Sequence, residues 1–247
     1  MAALALTRHD ARMVSERNAL VGLLAPMPSE MKPLAKACAL QPDPRKEWYR
    51  GGVGAVKLVA TKTGMGTKHS REATERLLET NDVQHVIVCG IAGGMGASRV
   101  GDVLYPEIVV DKATRTEYKA APLPGSTPSG RLVTHDDFDM GPDEHAALID
   151  EGFIAVDMET AAIAAVCVER GVPWSAVRVI SDLVGVTPGD VIDLANPDGS
   201  PKIAAGLKYL VTHPNRIPKL LRLAKESTAA ANAAAHATRA ALDGFEG

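Results

Sequence analysis

The chain has 247 residues, of which 46% are hydrophobic and 23% are charged, and its formal net charge is −3. This balance is that of an ordinary soluble globular protein and argues against a nucleic-acid partner, which would require a basic surface. The length fits a single α/β domain with a sizeable core. The sequence contains no apolar run long enough to cross a membrane, so we expect no membrane partner.

The first residues predict a leader, and the cysteines indicate the cellular compartment. Residues 1–18 hold an apolar stretch too short for a signal peptide, followed by charged residues, and predict a flexible leader ahead of one domain at 19–247. Cys38, Cys89 and Cys167 are irregularly spaced and lie among apolar residues, which is typical of reduced core thiols in a cytoplasmic protein. We therefore expect no metal site.

Strand-like and helical stretches alternate along the chain. Short apolar runs predict strands at residues 20–25, 56–63, 85–89, 100–110 and 174–180. Helical periodicity predicts helices at residues 29–38, with Ser29 as the N-cap, at 67–80 and 159–170, and in the Ala-rich tail after 214. The proline-containing stretch 112–130 predicts a surface excursion. The order predicts a single-domain α/β fold, a three-layer α/β/α sandwich around a central mixed, largely parallel, twisted sheet.

Two acidic residues flank the helix predicted at 159–170. Glu159 begins this helix, and Asp182 follows the apolar run 174–180. A strand, a crossover helix and a parallel strand would bring both carboxyl groups to one edge of the sheet, where open α/β sheets bind ligands. Alternatively, Glu159 only favours a helix N-terminus and Asp182 only caps the segment that follows it.

Glycine clusters follow two of the predicted strands, at Gly64–Gly66 and at Gly90–Gly96. Neither matches the dinucleotide-binding fingerprint, and the chain lacks a P-loop motif. Such turns can bring backbone N–H groups close to a ligand, although tight turning alone explains them equally well. We therefore expect no cofactor.

Together these elements resemble the nucleoside phosphorylase superfamily, in particular its methylthioadenosine/S-adenosylhomocysteine nucleosidase branch. The resemblance runs from about residue 20 to residue 182. It is carried, in order, by Gly64–Gly66 (GMG), Gly90–Met95 (GIAGGM), Val100–Val103 (VGDV), Val156–Ala161 (VDMETA) and Arg178–Asp182 (RVISD).

This resemblance implies cleavage of the N-glycosidic bond of a purine nucleoside. Asp182 would be the general acid toward purine N7, with a pKa raised by burial, and Glu159 would accept hydrogen bonds from the ribose hydroxyls. Met158 would pack on the sugar. Phe138 would stack on the base, although core packing explains a phenylalanine there equally well. The resemblance further places four residues at the substrate: Ile91, Ala92, Gly93 and Ser181.

The resemblance also bears on the nucleophile. The nucleosidases carry Ala-Met-x-x-Glu after the first strand, with the glutamate activating water, and here Pro26–Glu30 (PMPSE) corresponds, which makes Glu30 the expected general base. A helix also favours an acidic residue in its first turn without any catalysis. The hexameric phosphorylases instead carry Gly-Asp-Pro-x-Arg there and an arginine just before the third glycine turn, where this chain has Val88. A phosphate site without these cations would be poor.

Three departures from the nucleosidase pattern leave the substrate open. Ile91 replaces a serine, Asp139 replaces an apolar residue and Pro28 replaces an acid. We expect 5′-methylthioadenosine or S-adenosylhomocysteine as substrate and, by resemblance, a homo-oligomer, with a dimer favoured. The alternatives are a phosphorolytic enzyme using Lys68 and His69, a futalosine hydrolase-like enzyme, and a non-catalytic nucleoside-binding protein.

Overall fold

A computed structural model of the protein describes residues 19–45, 47–137, 140–185 and 212–246, together with residues 196, 200 and 202. The described residues form a sheet of eleven strands flanked by helices, which confirms the predicted α/β class and mixed central sheet. The leader predicted at 1–18 lies outside the described residues. The domain boundary at residue 19 stays a prediction.

The element bounds follow the predicted alternation. The strands are β1 (Leu20–Ala25), β2 (Gln41–Pro42), β3 (Tyr49–Val53), β4 (Val56–Lys62), β5 (His85–Gly94), β6 (Val103–Leu104), β7 (Ile108–Asp111), β8 (Glu117–Lys119), β9 (Arg131–Thr134), β10 (Phe153–Asp157) and β11 (Trp174–Leu183). The helices are α1 (Pro28–Ala37), α2 (Thr67–Thr80), α3 (Pro142–Asp150), α4 (Thr160–Arg170) and α5 (Ile217–Asp243), with short 3-10 turns at Pro214–Arg216 and Gly244–Glu246.

Strand β5 is the centre of the sheet. Its first half pairs in parallel with β1, while β11 runs parallel to it along the opposite side. Gly93, near its end, pairs with Val156 of β10 on one side and with Asp182 of β11 on the other. The sheet continues outward from β1 through β4, β3 and β2, and from β10 through β9, β7 and β8.

The two faces of the sheet carry separate helix pairs and separate cores. Helices α1 and α5 pack against each other on one face, over β5 and β11, and helices α2 and α4 pack against each other on the other face. The apolar strands β1, β5 and β11 are buried on both faces, as expected for parallel strands covered by helices. These contacts form the three layers that the sequence predicts.

The relation between β10 and β11 corrects one expectation. These strands were predicted to run parallel in one βαβ unit, but β10 runs antiparallel to β5 and β11 runs parallel to it, on opposite sides. The sequence pattern of strand, helix and strand is the same in both arrangements, so it could not distinguish them. The ends of the two strands still approach each other, but across β5.

Several boundaries also differ from the predictions. Strand β5 continues through Gly94, so Gly90, Gly93 and Gly94 belong to a strand where a turn was predicted. Strand β11 similarly includes Asp182, and the strand predicted at 100–110 is divided into β6 and β7. The predicted excursion contains β8, and the N-cap of α1 is Met27 and not Ser29.

The C-terminal tail forms the predicted outer helix. The second half of α5 is rich in alanine, and small side chains allow it to lie close against α1, β5 and β11. Its buried residues include Ala230, Ala234 and Leu242. The three cysteines are buried and form no disulfide, as predicted. In the part of the chain that the structure describes, no helix combines the length and apolarity needed to span a membrane.

Candidate active site

The centre of the candidate site is a buried arginine in the middle of β11. Arg178 is completely buried, and its Nη2 lies 2.5 Å from Oδ2 of Asp157 at the end of β10. Its guanidinium also donates to Oγ1 of Thr160, from Nη2 at 2.8 Å and Nε at 3.2 Å, and Nη1 donates to the carbonyl oxygen of Ile91 at 3.3 Å. Its donors are thus directed at acceptors from β10, α4 and β5.

Asp157 fixes the junction between β10 and α4. Its carboxylate accepts hydrogen bonds from the hydroxyls of Thr134 and Thr160 and from the backbone N–H of Thr160. A carboxylate at the N-terminus of a helix is favoured because the first N–H groups of the helix lack partners within it. The Asp157–Arg178 pair therefore fixes where α4, and with it Glu159, begins.

Glu159 is the N-cap residue of α4 and is 5% exposed. Its Oε1 accepts a hydrogen bond from the backbone N–H of Gly66 at 3.1 Å, and its Oε2 lies 3.6 Å from Nη2 of Arg178. Burial, followed by the charge of Asp157, raises the pKa of Glu159, and the cation of Arg178 opposes this shift. A ligand that donates hydrogen bonds to Glu159 would favour its ionised form, as the cation of Arg178 already does.

Glu30 reaches the same cluster from the first turn of α1. It is 2% exposed, and its two oxygens accept backbone N–H bonds of 2.8 Å from Met27 and from Ile91 of β5. Burial raises the pKa of Glu30 to about 7, against the opposing charge of Arg178. Glu30 is therefore both a first-turn helix residue and a member of the buried cluster, so the two interpretations of the sequence are compatible.

Gly90 explains how these groups approach β5 so closely. A Cβ atom at this position would lie 2.4 Å from Oε1 of Glu30 and 2.5 Å from Nη1 of Arg178. Any other residue would therefore displace one of the two charged groups. The glycine in the middle of this strand provides space for the site, and no turn requires it.

Asp182 lies on β11, like Arg178, and pairs with Gly93 of β5. The β5–β11 register shifts between Ile180 and Asp182, and such bulges often re-aim side chains at functional sites. The Ser181 hydroxyl donates to Oδ1 of Asp182 at 2.6 Å. Asp182 is half-buried, whereas Glu30 and Glu159 are fully enclosed.

The remaining predicted residues lie as follows. Ile91, Ala92 and Gly93 follow one another on β5, between β10 and β11, so the structure groups them with Ser181. Met158 is half-buried between Asp157 and Glu159. Phe138 lies outside the described residues.

Arg178 and Asp157 were not predicted from the sequence as site residues. Arg178 belongs to a motif that carries the family resemblance. An arginine within an apolar strand is also a signal by itself, because a fully buried charge needs partners. Asp157 precedes Glu159 by two residues, and its role depends on Thr134 and Arg178, which lie far away in the sequence. The arrangement brings three carboxyl groups, from Glu30, Asp157 and Glu159, around one guanidinium.

Comparison with known proteins assigns the chain to a family. The model of the phosphorylase superfamily matches residues 20–128 and 126–205. The 5′-methylthioadenosine/S-adenosylhomocysteine nucleosidase of Bacillus anthracis is 30% identical over 171 residues, which cover 56% of this chain and 74% of that protein. The chain therefore belongs to the phosphorylase superfamily, and the predicted resemblance to its nucleosidase branch is confirmed.

Solved structures share the fold. A Helicobacter pylori 5′-methylthioadenosine/S-adenosylhomocysteine nucleosidase superposes with a TM-score of 0.68 at 17% identity, covering 92% of this chain and 99% of that one. The futalosine hydrolase of the same organism gives a TM-score of 0.67 at 17% identity, covering 92% of this chain and 98% of that one. Enzymes named for different substrates thus have this fold in common.

Proposed function

We propose that the protein is a nucleosidase that hydrolyses the N-glycosidic bond of a purine nucleoside. The observation that carries this proposal is the convergence of Glu30 and Glu159 on the buried Arg178, with Asp182 further along the same strand, β11. Glu30 provides a general base for water, Glu159 provides a carboxylate that binds the sugar, and Asp182 provides a general acid for the leaving purine. The Bacillus anthracis relative is itself named as a nucleosidase, which is the same class of enzyme.

Glu159 and Asp182 act on the two halves of the substrate. The Glu159 carboxylate accepts hydrogen bonds from the ribose hydroxyls, and its charge stabilises the sugar as the sugar becomes cationic in the transition state. Asp182 donates a proton to N7 of the leaving purine. The half-buried Asp182 is held beside this position by the hydroxyl of Ser181, which donates to its Oδ1.

Glu30 activates the attacking water. A general base works best when its pKa is near the operating pH, and burial raises the pKa of Glu30 to about 7. Its hydrogen bonds to Met27 and Ile91 hold the carboxylate in a fixed orientation. The charge of Arg178 keeps part of the Glu30 population ionised, because it opposes the effect of burial.

The same geometry disfavours phosphate as the nucleophile. Arg178 is enclosed, and its donors face Asp157, Thr160 and Ile91. At the N-terminus of α2, the N–H groups of Gly66 and Thr67 already bond to carboxylates of the chain. Lys68 and His69, the alternative anion site, are exposed on α2. A phosphate dianion entering beside Glu30 and Glu159 would be repelled.

The relatives favour 5′-methylthioadenosine or S-adenosylhomocysteine as substrate. Several are named for these two nucleosides, and one structural neighbour is named as a futalosine hydrolase, which keeps a futalosine-like substrate as the second candidate. We further expect a cytoplasmic homodimer from the family resemblance. Sedimentation of the purified protein would test the oligomeric state.

The deciding experiment is a product assay. The purified protein is incubated with methylthioadenosine, S-adenosylhomocysteine, adenosine, inosine and futalosine, each with and without inorganic phosphate. We expect free base and free sugar at a rate that does not depend on phosphate. Glu30→Gln should slow the reaction without creating phosphate dependence, and the exposed Glu72→Gln on α2 is the matched control. A sugar 1-phosphate as the main product would contradict the hydrolase assignment.

A further inference from the structure

The turn between β4 and α2 supplies a backbone N–H to the site. Gly66, the N-cap residue of α2, has φ +88°, a conformation that glycine adopts without strain. It has no side chain with which to cap the helix. Serine, threonine, aspartate or asparagine usually takes that role, so α2 lacks a cap of its own.

Asp136 supplies this cap from another part of the chain. Its Oδ1 accepts the backbone N–H of Thr67 at 2.8 Å, and its Oδ2 accepts the Thr67 hydroxyl. The preceding N–H group, that of Gly66, donates to Glu159. Two successive backbone N–H groups thus bond to two carboxylates, one from the segment after β9 and one from the start of α4.

We propose that Asp136 is a positioning residue, which caps α2 in place of Gly66 and thereby holds the Gly66 N–H in the orientation that fixes Glu159 for the ribose. This inference rests on the proposed role of Glu159 as the ribose-binding carboxylate. Asp136 acts through the turn and does not touch the reacting atoms.

The physical reason is the freedom of the turn. Glycine has more accessible backbone conformations than any other residue, so a turn built on Gly64 and Gly66 depends on outside contacts to keep one conformation. The first turn of an uncapped helix also frays more readily, because its N–H groups lose their partner. Without Asp136, the Gly66 N–H would leave its position part of the time, and Glu159 would lose a charge-assisted hydrogen bond.

The pH dependence separates this role from a simple charge effect. The charges acting on Glu159 come from Glu30 on α1, Asp157 on β10 and Arg178 on β11, while Lys68 and His69 on α2 are exposed. The hydrogen bond from Gly66 lowers the pKa of Glu159, so loss of this bond raises that pKa. Removal of the negative charge of Asp136 by itself would lower it. The two effects have opposite signs.

The test measures kcat/KM against pH for a ribonucleoside and its 2′-deoxy analogue. In Asp136→Ala we expect the acid limb of the profile to move to higher pH by about half a unit, since ionised Glu159 is the active form. We also expect the preference for the ribonucleoside to fall about threefold to tenfold, because that preference depends on the Glu159 hydrogen bonds. Asp136→Asn keeps an acceptor for the Thr67 N–H and should restore both values to near wild type.

Asp137→Ala is the matched control, because it removes the same charge one residue away. It should leave the acid limb and the sugar preference unchanged. If Asp136→Ala does not fold, the test uses Thr67→Val, which removes only the hydroxyl hydrogen bond to Asp136. This variant should shift the acid limb and the sugar preference in the same direction as Asp136→Ala, but less. An acid limb that moves down or stays, with an unchanged sugar preference, would overturn the inference. A wild-type protein that cleaves none of the nucleosides would instead overturn the proposed function.

Discussion

Strands β5 and β11 carry two buried polar clusters, one at their amino ends and one from their middle toward their carboxyl ends, and the two clusters differ in kind. At the amino end, His85 Nε2 lies 2.9 Å from Oγ of Ser175, whose hydroxyl donates to the carbonyl of Ala121 at 2.7 Å. Burial lowers the pKa of His85 to about 4, so this cluster is neutral near pH 7. Toward the carboxyl end, Glu30 and Glu159 approach a single cation, Arg178.

The difference lies in how each cluster is satisfied. The His85–Ser175 cluster completes its own hydrogen bonds and carries no net charge, so it has little to offer a ligand. In the Arg178 cluster, burial raises the pKa of both glutamates. Burying their ionised carboxylates therefore costs folding free energy, which is typical of residues kept for function. Buried polarity by itself therefore does not identify an active site. Like charges brought together by different elements do.

The largest effect is expected at Asp182, which belongs to the charged end but is only half-buried. Asp182→Asn should lower kcat for base release by about 10²–10⁴, because an amide cannot donate a carboxylic proton. The free energy of unfolding should change by less than about 1 kcal/mol, because asparagine keeps a side-chain oxygen that accepts the Ser181 hydroxyl. Stopped assays of released base and urea unfolding measure the two quantities. The exposed Asp143→Asn on α3 is the control, and near wild-type turnover in Asp182→Asn would remove this residue from the mechanism.

Arg178 should show the largest effect on stability. Arg178→Met removes the cation and leaves the Asp157 carboxylate buried without its partner, which typically costs about 3–5 kcal/mol. Arg178→Lys keeps the charge but loses the planar fork to Asp157 and Thr160, so it should be intermediate. Urea unfolding at pH 7 measures both. If Arg178→Met unfolds like the wild type, the ion pair does not hold β10, β11 and α4 together.

Glu30 should make the charged end sensitive to pH. Its pKa rises from 4.5 in the unfolded chain to about 7 in the folded one, so the folded state prefers the protonated carboxyl and loses stability as pH rises between these values. Glu30→Gln lacks this dependence. The difference in free energy of unfolding between variant and wild type should therefore move in favour of the variant by about 2–3 kcal/mol from pH 5 to pH 8. An equal difference at both pH values would show that Glu30 is ionised throughout.

The sequence predicted those parts of the molecule that depend on local patterns. The strand at Leu20–Ala25 and the end of α4 at Gly171 agree with the structure, because apolar runs and a left-handed glycine are local signals. The pairing of β10 was wrong, since antiparallel and parallel arrangements around β5 give the same local pattern.

The candidate site divides in the same way. Glu159 and Asp182 were predicted because each lies near the end of a strand, and Glu30 was predicted from its place in a motif that the nucleosidases share. Arg178 and Asp157 depend on each other across separate elements, and the need for a glycine at position 90 is visible only once Glu30 and Arg178 are placed. The capping of α2 by Asp136 likewise joins residues 69 positions apart. No local pattern contains such information.

The smallest effect is expected at the neutral end. Ser175→Ala removes the hydroxyl that accepts from His85 and donates to Ala121, so it should lower the free energy of unfolding by about 1–2 kcal/mol. Its kcat/KM should stay within about a factor of two, because hydrogen bonds completed within the cluster take no part in binding or proton transfer. Urea unfolding and steady-state kinetics on one protein sample measure both quantities. A tenfold loss of kcat/KM without a loss of stability would show that the His85–Ser175 cluster contributes to activity. The proposed difference between this cluster and the Arg178 cluster would then be wrong.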